Sequence, residues 1–95
     1  MDVIAKQPYI KMIRKVSSVK QIDIEHERYI QLFPDKIMTE HREFLLPDVF
    51  DLSFRKIGEE GGILFIHTNH SVYSYTVKSS PEAFIQTCKM YIGNY

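Results

Sequence analysis

Residues 49–55 read Val49-Phe50-Asp51-Leu52-Ser53-Phe54-Arg55, and their alternation decides the fold class. Phe50, Leu52 and Phe54 fall on one face of an extended chain, with Asp51, Ser53 and Arg55 on the other. That is the period of a half-buried strand. Pro47-Asp48 on one side and the Gly58-Glu59-Glu60-Gly61-Gly62 stretch on the other are turn punctuation. Downstream, Ile63-Leu64-Phe65-Ile66 is a continuous apolar run, short enough for a strand buried on both faces. Asn69-His70 separates it from Val72–Val77, where Tyr73, Tyr75 and Val77 alternate with Ser74 and Thr76. Asn tolerates positive φ, so this break predicts a tight hairpin.

Upstream, Tyr29–Phe33 and Ile37–Arg42 flank Pro34-Asp35 and predict another hairpin, with Glu43–Leu46 extending its second arm. Tyr9–Val16 and Val19–Ile24 read as strands around Ser17-Ser18, although their alternation is imperfect. The last segment changes period. Phe84, Ile85, Cys88, Tyr91 and Ile92 form one helical stripe over about residues 80–92. Ser80 suits the N-cap, Pro81 the first helical position, Glu82 the positive end of the dipole, and Gly93 the C-terminal stop. The predicted fold is therefore mainly β with one C-terminal α-helix, in the α+β class. It is a small antiparallel sandwich or partly open barrel of six or seven strands capped by the helix.

A chain of 95 residues makes a single domain, spanning 1–95. With 44% hydrophobic and 25% charged residues, six Phe and six Tyr, it has the apolar area that disordered chains lack. The lone Cys88 excludes an intramolecular disulfide and a multi-cysteine zinc site. No signal-length or membrane-length apolar run is present, so the expected location is cytoplasmic. The formal net charge of zero argues against a nucleic-acid binder. That total hides an asymmetry. Residues 1–20 hold five basic residues against Asp2, a balance of +4, and the remainder holds seven basic against eleven acidic, a balance of −4.

Over residues 29–92 the chain resembles the pleckstrin-homology-like superfold, in the small form of bacterial PH-like and GRAM-like domains. The stretch Tyr29-Ile30-Gln31-Leu32-Phe33-Pro34-Asp35-Lys36-Ile37 is similar to their opening strand–turn–strand. Leu46-Pro47-Asp48-Val49-Phe50 is similar to the short segment leading into their next strand. Ile63–Ile66, Val72–Val77 and the helix from Pro81 follow their terminal order. The resemblance implies a binding fold, whose members engage lipids, peptides or other proteins, or oligomerise. Two features depart from the family pattern. There is no Trp in the terminal helix, and the basic residues near the first loop lack the spacing of the inositide-binding subset.

Each candidate for chemistry competes with a plainer reading. His67 and His70 at a hairpin tip fall short of the three or four ligands a metal needs, and read as turn residues. Cys88 lies in the helix stripe, where a buried thiol is inert. Glu25, Glu27, Glu40, Glu43, Asp48 and Asp51 show no convergence and read as a solvated face. The glycines lack the Lys-Ser/Thr of a phosphate loop. The expectation is a non-enzymatic module with no cofactor, acting through protein contact or self-association. Its expected contact surface is an exposed sheet edge or the Tyr73/Tyr75 strand. The alternative is peripheral, weak binding to an anionic lipid surface through the basic stretch Lys11, Arg14, Lys15 and Lys20. A small-ligand carrier or enzyme using the barrel interior comes last, because a domain this small fills its interior with its own side chains.

Overall fold

The computed structural model describes residues 3–16 and 21–92, with side chains undescribed at 14–16 and 21. Seven strands are followed by one helix. They are β1 (Ala5–Val16), β2 (Gln21–Leu32), β3 (Lys36–Met38), β4 (Glu43–Leu45), β5 (Val49–Lys56), β6 (Gly62–Thr68) and β7 (Val72–Val77), then α1 (Glu82–Ile92). All pair antiparallel in one sheet of order β4-β3-β2-β1-β7-β6-β5. The sheet is therefore not a closed barrel, since β4 and β5 are its two ends. A single 3-10 turn, Leu46–Asp48, crosses between them. That turn is tied down on both sides: Leu46 N–H donates to the Asp35 carbonyl at 3.0 Å, and Asn69 N–H to the Asp48 carbonyl at 3.0 Å.

The alternating apolar residues of the strands fill the interior. Tyr9, Ile30, Leu32, Ile37, Phe44, Leu46, Val49, Leu52, Leu64, Ile66 and Val77 form one core with Phe84, Ile85 and Cys88 of α1. At about 1.5–3 kcal/mol for each large apolar side chain fully buried, this cluster supplies the main favourable contribution to folding. The helix begins as its sequence dictates. Ser80 Oγ accepts from the Glu82 N–H at 3.4 Å, and the Pro81 carbonyl takes the first helical bond, from Ile85 at 2.8 Å. The stop expected at Gly93 lies outside the described residues.

Several local expectations change. Phe50 does not share a face with Leu52 and Phe54, because the β5–β6 register shifts between Val49 and Asp51. This bulge puts an extra residue in β5, so Val49 and Leu52 point inward and Phe50 is 62% exposed. Ile63–Ile66 is buried on one face only: Leu64 and Ile66 are fully buried, Ile63 and Phe65 half-buried. Val19–Ile24 and Tyr29–Phe33 are not separate strands, since β2 runs unbroken from Gln21 to Leu32 through the charged His26-Glu27-Arg28. The arm expected over Ile37–Arg42 ends at Met38, and Glu43–Leu45 folds back on it as β4. Thr39 makes that reversal: its N–H donates to the Arg42 carbonyl at 2.8 Å and its Oγ1 accepts from the Arg42 N–H at 3.1 Å.

The β6–β7 hairpin forms as expected but by another device. Among the described residues no non-glycine has positive φ, Asn69 included. Instead the Thr68 hydroxyl donates to the Ser71 carbonyl at 2.8 Å and accepts from the Ser71 N–H at 3.1 Å, closing the turn from inside. The β5–β6 turn does use glycine. Gly58 has φ +85°, while a Cβ on Gly62 would run into the Arg55 carbonyl oxygen, so no side chain fits there.

Candidate functional site

β1 and β2 are the longest strands, paired from Ala5↔Leu32 to Val16↔Gln21. Their neighbours do not follow them. β7 meets β1 in register only at Ile10↔Thr76, and β3 meets β2 only at Gln31↔Met38 and Leu32↔Ile37. The far half of the hairpin therefore projects as a two-stranded arm. The molecule measures 53 × 28 × 26 Å, and its radius of gyration is 14.7 Å against the about 12 Å usual for this length.

The pleat sorts the arm's side chains by chemistry. On the face continuous with the core lie Lys11 and Ile13 of β1 and Ile22, Ile24, His26 and Arg28 of β2. On the opposite face lie Ile10 and Met12 with Asp23, Glu25 and Glu27. Every carboxylate of β2 is on that second face. Ile22 is 49% and Met12 53% exposed, so both faces of the arm leave apolar area in water. Lys78, just past β7, pairs with Glu25 and tethers the acidic face to the body.

Where β1 and β7 part, a cleft of about 330 Å³ opens, lined by Tyr9, Lys11, Arg28, His41, Arg42 and Tyr75 among others and by no carboxylate. Its wall is ordered by rings. Tyr9 meets Tyr75 edge-on at 5.0 Å, Tyr73 packs on Phe44 at 5.0 Å, and the Arg42 guanidinium lies 4.6 Å over the Tyr73 ring. Arg28 Nε pairs with Glu40 at 2.6 Å, and its Nη1 lies 3.2 Å from His41 Nε2. A guanidinium only donates, so in this contact His41 Nε2 is the acceptor. Burial raises the Tyr75 hydroxyl above its ordinary pKa, with a smaller opposing effect from the Thr39 hydrogen bond. Two other hollows are different in kind. One of about 440 Å³ at the start of α1 is lined by Glu59, Glu60 and Glu82 with Lys56, and one of about 520 Å³ between the β5–β6 turn and the end of β7 by Ile57, Ile63, Thr76 and Lys78 among others.

The residues singled out from sequence are thus dispersed. Lys11 reaches the cleft rim. Arg14 and Lys15 belong to the arm, where the backbone register sets Arg14 opposite Asp23 and Lys15 opposite Ile22. Lys20 lies outside the described residues. Tyr73 and Tyr75 are not on a sheet edge: β7 runs between β1 and β6, and both rings are half-buried against the core. The signals missed were Arg28, His41 and Arg42, which reach the cleft because the chain reverses at Thr39. The alternation of Ile22, Ile24 and His26 with Asp23, Glu25 and Glu27 announced the two-faced arm.

His67 and His70 stay apart in role. His67 Nε2 shares a hydrogen bond with Ser53 Oγ at 2.7 Å across β5–β6, and His70 is an exposed turn residue. Among the described residues no three His, Cys, Asp or Glu groups gather as metal ligands. The Ser53–His67 pair lines none of the three hollows, so it reads as a cross-strand brace. Cys88 is fully buried and its thiol is pushed up to about 12 by desolvation. No helix among the described residues is long and apolar enough to cross a membrane.

Fold and surface together define the class: an open seven-stranded antiparallel sheet capped by a terminal helix, with a projecting amphipathic arm. No family model and no curated protein matches the chain.

Proposed function

We propose that the chain is a non-enzymatic binding module of the PH-like kind whose contact element is the β1–β2 arm. The observation that carries this reading is the arm's uncovered apolar area beside cations: Ile22, Ile13 and Ile24 next to Lys11, beyond the reach of β7 and β3. A two-stranded hairpin alone in water is marginally stable, and a partner laid on its apolar face completes its packing. Seven antiparallel strands followed by one helix support the PH-like part of the reading. The non-enzymatic part is supported by the inert Cys88 thiol and by an interior occupied by core side chains.

The test is photo-crosslinking in cells, with benzoyl-phenylalanine replacing Ile22 in the arm or Met90 on α1 as a control. A discrete protein adduct at Ile22 and none at Met90 is the expected result. No adduct at Ile22 removes the arm as the contact element. The second reading is an anionic membrane surface, favoured by the four cations of β1 (Lys6, Lys11, Arg14 and Lys15) with no acid among them. It predicts salt-sensitive co-sedimentation with anionic liposomes, lost in a Lys11/Arg14/Lys15/Lys20→Ala variant. Opposing it, Asp23, Glu25 and Glu27 lie one strand away.

A further inference from the structure

Past Ile10↔Thr76, the β1 backbone from Lys11 to Val16 pairs with no strand on the side away from β2 among the described residues, because β7 splays from it across the cleft that Ser74 and Tyr75 line. At ~3.3 Å per residue this is about 20 Å of open edge, a row of backbone donors and acceptors ready to pair. The edge starts at the cleft, whose lining includes Lys11, Arg28, His41 and Arg42 and no carboxylate. Arg28 is already engaged by Glu40 and His41, which leaves Lys11 and the exposed Arg42 as the cations facing an incoming group.

We propose that this edge takes an extended acidic segment of a partner protein, added to β1 as a strand, with carboxylates set against Lys11 and Arg42. The proposal rests on the binding-module reading and names its partner. Charge selects that occupant over the others. A second copy pairing β1 to β1 antiparallel about Ile13 would set Lys11 of each chain opposite Lys15 of the other, and like charges across a ladder are destabilising. An anionic bilayer lying on the Ile10 and Met12 face of the arm meets the carboxylates of β2. A single strand at the far edge of β1 avoids them. It sits two strand spacings from β2, about 10 Å, which is about one Debye length at ordinary ionic strength.

The experiment titrates the ¹⁵N-labelled full chain with a short peptide alternating glutamate and valine. Its lysine–valine counterpart, the glutamate peptide with alternate amides N-methylated, and inorganic phosphate are run in parallel. Strand addition predicts amide shifts concentrated in Lys11–Val16 and at Thr76 with the acidic peptide only, weakening with salt. It also predicts about tenfold weaker binding for Lys11→Glu or Arg42→Glu, with Lys56→Glu unchanged. Equal binding of the N-methylated peptide, or the same shifts with phosphate, would mean an oxyanion pocket without strand addition and overturn the proposal. So would unmoved Lys11–Val16 amides. An Ile22 crosslink to a protein alongside a silent titration removes strand addition alone, whereas loss of both removes the binding module too.

Discussion

Cys88 shows how burial alone sets a residue's chemistry. Its sulfur sits among Phe84, Ile85 and the strand core, and desolvation raises the thiol from an ordinary 9.0 to about 12. Below pH 9 the thiol is neutral in both folded and unfolded chains, so its burial is fully stabilising. As pH rises from about 9 to about 12 the unfolded chain loses that proton while the folded one keeps it, and stability falls by up to ~1.4 kcal/mol per pH unit. The melting temperature of the native protein should therefore drop more steeply over that range than that of Cys88→Ala. The folded thiol should also resist a disulfide reagent at pH 8; rapid modification there would contradict its burial. This much was legible in sequence, because Cys88 keeps the helical period with Phe84, Tyr91 and Ile92. The exposure of Phe50 was not. A bulge inserts one residue without altering the local alternation, and it is defined only by the partner strand, where Val49 faces Thr68 and Asp51 faces His67.

At the scale of elements, the arm differs from the rest of the sheet in what covers it. β6 is paired on both sides by β5 and β7, whereas among the described residues the far halves of β1 and β2 pair only with each other. Hydrogen exchange should reflect this. Amides at 12–14 and 23–25 should exchange at least about a hundredfold faster than those of Leu64 and Ile66, since local opening of the arm exposes little buried area. Protection of the arm equal to that of β6 in a dilute sample would mean that something covers it. The pairing of these elements was only partly readable. Residues 21–32 looked like two strands because His26-Glu27-Arg28 breaks the apolar pattern, yet an arm strand with a solvated face accommodates charge. Residues 37–46 looked like one strand because nothing in Thr39-Glu40-His41-Arg42 announces a turn as glycine or proline would. Thr39 closes that turn with its hydroxyl.

For the whole molecule the arm sets the shape. The accessible surface is 6391 Å², above the roughly 5,700 Å² that surface scaling gives for this mass. Small-angle scattering of a dilute monomer should give a radius of gyration near 14.7 Å and a longest dimension near 53 Å. Met12 and Glu25 are register partners, so a two-residue Asn-Gly turn joining them directly removes the arm tip without disturbing the body. That variant should shrink toward about 12 Å and keep a cooperative melt, because the core residues lie outside the deleted segment. Collapse of the fold on this change would show that the arm is part of the core after all.

The sequence by itself determined the class of the fold. Alternation in residues 49–55 and 72–77 and the helical stripe after Pro81 specify a curled antiparallel sheet with a terminal helix, because side-chain period follows directly from local backbone geometry. It also settled the inertness of Cys88 and the uneven spread of charge. Only the tertiary structure decided where that charge acts. Whether Lys11 stands beside Arg42 or beside Glu25 depends on which strands run together and for how long, and pairing between segments far apart in sequence leaves no trace in the local pattern. The open edge of β1 and the cleft at its start both come from one fact of this kind: β1 and β7 part after a single bridge.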